Sequence, residues 1–528
     1  MSKAGSILRS TAVVGAATAL SRVLGLVREM LQSRLIGAGW EQSAFALAFA
    51  IPNMARKLFG EGALTAAFVP VFKGELETVG REKAERLARA VLSMMLLMVG
   101  AIVCLGLVGL SAWLGVSGGS GAPDVSGQRF VLTLKTTQIL LPYMLFICGA
   151  AFGMGVLNAM GRFAAPSLMP CLLNVGWILA LGYLAFFGAD LDLATRVRRV
   201  AVAILAAGGL QMGFMFFCMR RQGIRPGFTF AGWFDENTRR VWRNTLLAAL
   251  GAGAVQINYA LDQVLAQCAA PWAAGVVGYA ERLMDLPLGV VGVAFGTVLL
   301  PTFAGLFAKG DLAGARQAFT DSTRNMLFVM LPAAVGLGVL APDVTAAIYK
   351  GGAFDAMATT RVARAVACYA LGLGFFGLQK SLVPWFQAQN DMKTPLKVST
   401  CAVFLNATLN ILAVVCLPIE WRHVGLAAST VLCAGASCLW LGLAAVRKNG
   451  ELGFRSLIRP VALILVSALV MGGSLAVVRP WLGANSILAL LVLVPTGGLV
   501  YFALTWLLLP EMRGFRLRRR AATSRSRS

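Results

Sequence analysis

Charge is scarce in this 528-residue chain. Only 13% of its residues are Asp, Glu, Lys or Arg, while 58% are hydrophobic. With mean hydropathy at +0.75, that balance excludes a soluble domain and indicates a polytopic membrane protein. Histidine is nearly absent. The single one, His423, falls in an expected outer loop, and a His-based metal centre is excluded. The ten cysteines lie scattered in apolar segments without a CxxC pair. Free Cys in such surroundings behaves as a small hydrophobe, so neither a disulfide nor a metal site is inferred. No segment shows the roughly ten-residue alternation of a membrane barrel. A backbone inside lipid must satisfy its own hydrogen bonds, which leaves an all-α fold. A cleavable signal peptide is not expected, because the first apolar segment is too long, carries charges and leads at once into another span.

What is present is a series of about fourteen segments of spanning length. They start near residues 10, 43, 88, 131, 168, 199, 243, 272, 324, 363, 396, 424, 456 and 484. The formal charge of +24 invites a nucleic-acid reading, but its distribution argues otherwise. With the N-terminus cytoplasmic, roughly thirty Lys and Arg fall on that side and about eleven on the other, the positive-inside bias. Both termini are then expected in the cytoplasm. The closing run MRGFRLRRRAATSRSRS suits anionic lipid head groups better than nucleic acid.

The stretch from Ser43 to Phe72 organises the rest. It is long and apolar enough to cross a bilayer, yet carries Arg56, Lys57 and Glu61 among Pro52, Asn53, Gly60 and Gly62. A charge at bilayer depth costs about 2.5 kcal/mol or more, so such residues face protein or a wet cavity. Lys57 and Glu61 are four apart on a helix and can neutralise one another. That leaves Arg56 without a local partner and open to an anion. In the first segment Arg22, Arg28 and Glu29 also sit among apolar residues. Arg22 and Arg28 reach one cavity only if the helix bends, as at Gly25, or if the long side chains reach around. The alternative is that Arg28 pairs with Glu29 or lies at the interface. Residues 73–89 mix Lys, Arg and Glu and read as a solvated amphipathic connector. Pro142, Asn158, Arg162, Pro166 and Asn174 punctuate the next four spans.

A basic linker over residues 220–243 divides the chain, and the second part echoes the first. FVPVF at 68–72 returns as LLPTF at 299–303, which sets Pro301 against Pro70. NAMGRFAAP at 158–166 returns as QAQNDMKTP at 387–395, which sets Pro395 against Pro166. The two pairs share an offset near 230. An offset that spans an even number of helices implies a parallel duplication. The expected organisation is a six-helix lobe over 1–225, a linker over 226–242, a second six-helix lobe over 243–447, two extra helices over 448–510 and a basic tail over 511–528. The first lobe sets Arg22, Arg28, Arg56 and Lys57 against Glu29 and Glu61. The second sets Arg282 and Lys380 against Asp262, Glu281 and Asp285. Arg282 can pair locally with its acidic neighbours. Asp262 has no charged neighbour and should be protonated, hydrogen-bonded or holding a cation. An anion site in one lobe and a proton or Na⁺ site in the other is an asymmetry that suits a transporter.

SRVLGLVRE at 21–29, GAGWEQSAFALAFAIPNMARKLFGEGALTAAFVP at 37–70, YAERLMDLPLGVVGVAFGTVLLP at 279–301 and QNDMKTPLKV at 389–398 closely resemble the MurJ (MviN) family. That family belongs to the multidrug/oligosaccharidyl-lipid/polysaccharide exporter superfamily, and the resemblance covers nearly the whole chain. It implies a lipid II flippase of the bacterial cytoplasmic membrane, which carries undecaprenyl-diphosphate-linked peptidoglycan precursor between leaflets. It assigns substrate binding to Arg22, Arg28, Arg56 and Arg282 and acidic positions to Glu61 and Asp285; the charge reading adds Lys57 and Glu281 to that supporting network. The two extra helices would form the groove for the prenyl tail. A coupling cation would fall on Asp262, Asn406 and Asn410, where Asn410 replaces a carboxylate. Na⁺, H⁺ or the membrane potential would drive transport, with no other cofactor and no metal. The expected partners are lipid II and membrane lipid, with no nucleic acid, and the chain is expected to act as a monomer.

The rivals are a flippase for another lipid-linked oligosaccharide and a cation-coupled drug exporter. Cationic drugs want an acid-rich cavity, and the first lobe is net basic. A membrane enzyme acting on polyprenyl phosphates would want paired carboxylates or a metal cluster, whereas these acids are dispersed.

Overall fold

The computed structural model describes residues 3–57, 63–116 and 124–509. Among them the only extended pairing is one isolated bridge, Gly351 with Phe354, and the remaining regular structure is helical. In chain order the helices are α1 (Lys3–Ile36), α2 (Trp40–Ala55), α3 (Ala63–Thr78), α4 (Arg81–Val116), α5 (Val125–Leu140), α6 (Tyr143–Ala159), α7 (Ala164–Phe187), α8 (Leu193–Arg221) and α9 (Glu236–Ala269). They continue with α10 (Ala273–Ala308), α11 (Leu312–Val339), α12 (Ala341–Tyr349), α13 (Ala356–Gln387), α14 (Lys393–Cys416), α15 (Arg422–Asn449), α16 (Phe454–Val478) and α17 (Ser486–Leu508). Among the described residues, nine helices are long and apolar enough to cross a membrane, and α5 with α6 makes a tenth span bent by 41°. The charge-bearing α1 and α9 are not among them. Each of the fourteen expected starts falls within or near the start of a helix, with α2/α3 and α5/α6 each counted as one segment. Residues 73–89, expected as a connector, are helical except at Val79 and Gly80. His423, expected in a loop, is buried in the first turn of α15, where its ring meets the Arg361 carbonyl at 3.1 Å.

The chain forms two compact units, residues 1–275 with 351–355, and residues 276–350 with 356–528. In the first, α1 packs on α7, α6 and α7 pack on α8, and α2 on α5. Its core stacks Phe68 on Phe72 at 5.1 Å and on Phe152 at 4.9 Å. The expected lobe boundary at 226–242 would assign α9 to the second half, but α9 packs on α2, α3 and α4 and belongs to the first unit. In the second unit α13 packs on α11 and α15, and α14 on α15. Trp385 anchors its core against Phe303, Phe307 and Phe319, at 5.5, 5.0 and 5.5 Å. The extra helices α16 and α17 pack on each other, α16 also on α11 and α17 on α12. Arg479, just past α16, donates two hydrogen bonds to Asp343 of α12, at 2.7 and 2.6 Å.

The duplication is written in backbone geometry. After α6, Gly161 takes φ +73°, its amide donates to Asn158, and the Arg162 amide donates to Leu157. After α13, Asn390 takes φ +58°, its amide donates to Gln387, and the Asp391 amide donates to Phe386. Every partner is displaced by the same step that separates Pro166 from Pro395. Both turns are Schellman caps, which need a left-handed residue that Gly or Asn supplies. Pro166 and Pro395 then occupy the third position of α7 and α14, where a missing amide proton costs nothing.

Candidate anion-binding site

The site in the first unit grows from one face of α1. Ser21, Gly25 and Arg28 recur at helical spacing, and α7 lies against them. A side chain at Gly25 would begin 3.8 Å from Asn174 Nδ2. Asn174 spans both ends of the patch. Its Nδ2 donates to the Ser21 carbonyl at 3.0 Å, and its Oδ1 accepts from Arg28 Nη1 at 3.0 Å.

Arg28 is held on three sides. Asn174 takes Nη1, the Glu29 carboxylate takes Nη2, and the Trp177 ring lies 4.5 Å below the guanidinium carbon. A desolvated cation over Trp is worth about 2 kcal/mol. Trp177 is itself fixed edge-on against Phe45 and Phe49 of α2, at 5.6 and 5.4 Å. The Arg28–Glu29 pairing weighed in the sequence is therefore present. It does not complete the guanidinium, because Nε is buried and makes no hydrogen bond among the described residues.

Arg56 follows the last residue of α2, in a π turn over residues 56–57. Such insertions widen the helix and are frequent at functional sites. Its Nε donates to Asn53 Oδ1 at 3.2 Å. The expectation that Arg56 lacks a local partner is thus corrected: an amide three residues back takes its Nε and helps orient it. Lys57 Nζ sits 4.7 Å from the centre of the Tyr259 ring of α9. Glu61, expected to pair with Lys57, lies outside the described residues. Arg22 is largely exposed on α1.

Asp262 belongs to α9 in the first unit, and Asn258 Nδ2 donates to its Oδ2 at 3.1 Å. Of the three states foreseen for this carboxylate, a hydrogen-bonded one is seen. In the second unit Asn406 and Asn410 are buried on α14, at 3% and 1% exposure. Arg282, Asp285 and Lys380 are exposed, and Glu281 accepts a long hydrogen bond of 3.4 Å from the Tyr369 hydroxyl. Sequence reading noted Asn174 only as polar punctuation and did not single out Trp177 or Tyr143. An aromatic in an apolar helix carries no mark that separates a cation platform from ordinary core.

With this geometry in view, comparison with known proteins is informative. The family model described as lipid II flippase MurJ matches residues 32–494. A "Probable lipid II flippase MurJ" of Rhizobium tropici is 34% identical over 517 residues, covering 95% of this chain and 94% of the relative. A "Lipid II flippase MurJ" of Burkholderia cenocepacia is 31% identical over 450 residues, with 84% of each chain covered. A solved structure of lipid II flippase MurJ in an inward closed conformation superposes with a TM-score of 0.76 at 22% identity, over 94% of this chain and 99% of that one. An inward-facing multidrug-resistance MATE transporter gives 0.65 at 14% identity, over 83% and 99%. The last two likenesses speak to fold alone. The extent of the family match and the identity to its curated members carry the assignment: this chain belongs to the lipid II flippase MurJ family.

Proposed function

We propose that this protein is a lipid II flippase. It moves undecaprenyl-diphosphate-linked peptidoglycan precursor across the bacterial cytoplasmic membrane by alternating access, with both termini in the cytoplasm. The observation that carries the reading is Arg28, oriented by Asn174, Glu29 and Trp177. A permanently charged planar fork fixed in this way suits phosphate oxygens. Arg22, Arg56 and Arg282 complete the diphosphate site in this reading, with Lys57, Glu61, Glu281 and Asp285 balancing charge. Cations gathered without their ligand repel one another. An arriving diphosphate relieves that repulsion and favours closure of the two six-helix lobes around it.

The prenyl tail stays in lipid along a groove of α16 and α17. The basic tail at 511–528, outside the described residues, binds anionic head groups. Asp262, Asn406 and Asn410 serve as the coupling site for Na⁺ or H⁺, and the chain works as a monomer.

The test is depletion of the resident flippase in a bacterial host. Lipid II should accumulate on the inner leaflet, and this gene should relieve the accumulation while its Arg56→Ala variant, present at equal membrane abundance, should not. Accumulation that persists with the unaltered gene would defeat the proposal.

A further inference from the structure

Tyr143 opens α6, directly after the break at Leu141 and Pro142. It is fully buried at 0% exposure, and its hydroxyl makes no hydrogen bond among the described residues. Buried polar groups in folded proteins are nearly always satisfied, so one left unmade asks for an explanation. The ring itself is firmly seated. Gly208 of α8 faces it, and a Cβ at that position would lie 2.4 Å from ring Cδ2. The notch therefore fixes where the ring, and so the hydroxyl, points. Phe49 lies 6.3 Å from the Tyr143 ring and packs edge-on against Trp177, the platform of Arg28.

A buried phenol with no acceptor of its own, packed through Phe49 against the platform of Arg28, has a proton to give. The acceptor that two arginines attract is an oxyanion. We propose that Tyr143 is a further substrate-binding residue, its hydroxyl donating to a phosphate oxygen of the diphosphate that Arg28 and Arg56 draw in. This rests on the diphosphate reading above. The hydroxyl is closed off in the present conformation, so the bond forms as packing around α6 opens. An unmade bond in the unliganded state and a made one in the liganded state bias the protein toward the liganded form. The second repeat has no such device: α13 runs unbroken through the matching position, which is Gly372.

The test uses the full chain in nanodiscs, titrated with lipid II, with thermal unfolding recorded in its absence. Tyr143→Phe keeps the ring and removes only the unsatisfied hydroxyl. Lipid II affinity should fall about ten-fold or more, as for a lost hydrogen bond to a charged acceptor. The unliganded melting temperature should hold or rise, because an unmade buried bond has been deleted. Gly208→Ala, which displaces the ring, should lower both. Wild-type affinity in Tyr143→Phe would overturn the proposal. So would weaker binding accompanied by a melting-temperature drop as large as that of Gly208→Ala, since packing would then be what was lost. Arg56→Ala in the same titration separates the two readings. If Arg56→Ala weakens binding and Tyr143→Phe does not, the tyrosine proposal falls alone. If Arg56→Ala binds as the wild type does, the diphosphate reading falls and takes Tyr143 with it.

Discussion

Helices α7 and α14 are each 24 residues long and begin at matching places in the two copies, Ala164 and Lys393, yet they carry different chemistry at matching positions. Where α7 presents Trp177 and Leu181, α14 presents Asn406 and Asn410. The first copy thus sets an aromatic beneath a cation where the second carries a buried amide. The copies also differ in continuity. The first copy ends α2 in a π turn at Arg56 and breaks between α5 and α6 beside Tyr143, whereas α10 and α13 run straight through the equivalent stretches. Interrupted helices at membrane depth are tolerated where they border protein or water, and both interruptions fall beside the anion-seeking groups. Duplication preserved the turn and the length of the helix that follows it; divergence acted on the charge and on helix continuity.

The largest effect should separate the copies outright. Arg28→Ala should abolish growth support in flippase-depleted cells at normal membrane abundance, while Leu261→Ala, an apolar truncation on α9, should leave growth intact. Equal outcomes for the two would erase the comparison. Next, Asn174→Leu removes the amide that aims Arg28 but keeps the charge. Lipid II affinity should drop about ten-fold, the scale of one lost bond to a charged group, with Arg28 still required for what remains. Asp262→Asn should leave lipid II affinity near wild type but change how transport in proteoliposomes responds to an imposed Na⁺ or proton gradient. An unaltered response would remove Asp262 from coupling.

The smallest effect lies in the duplicated turn. Asp391 accepts from Lys448 at 2.8 Å and from the Thr394 amide and hydroxyl at 3.0 Å each. These contacts, Lys448 foremost, hold its carboxyl down at about 2. A carboxyl lowered from its ordinary value stabilises the fold above that value, and the contribution fades as pH falls from about 4 toward 2. Lys448 is 42% exposed, so screening limits the term to about 1 kcal/mol. The first copy of the turn carries Arg162 at the matching position. Asp391→Asn should therefore flatten the melting temperature between pH 4 and 2 relative to wild type, and Arg162→Gln should not.

Much of this was legible in the sequence, for identifiable reasons. A spanning helix needs about twenty apolar residues, so the segment starts could be placed from hydropathy. Proline and a left-handed turn residue are demanded by local geometry, so the offset between Pro166 and Pro395 survived divergence and marked the duplication. Cations in apolar helices are costly enough that Arg28 and Arg56 stood out. What stayed hidden depends on partners distant along the chain. Nothing local says that Asn174, far along the chain from Arg28, will take its guanidinium, or that Trp177 will lie beneath it. The side of the chain that α9 joins is likewise set by packing on α2, α3 and α4, and a polar linker before it gave the opposite expectation. His423 was placed in a loop because it follows a polar stretch, whereas α15 already begins at Arg422.

The central claim is that the first repeat's arginines bind pyrophosphate, and affinity measured against head-group charge tests it most directly. Wild-type protein and Arg28→Ala in nanodiscs would be titrated with lipid II and with the same lipid carrying a single phosphate. The account predicts that the wild type prefers the diphosphate by at least ten-fold and that Arg28→Ala loses most of this preference. A wild type that binds both lipids alike, or an Arg28→Ala that keeps the full preference, would contradict it.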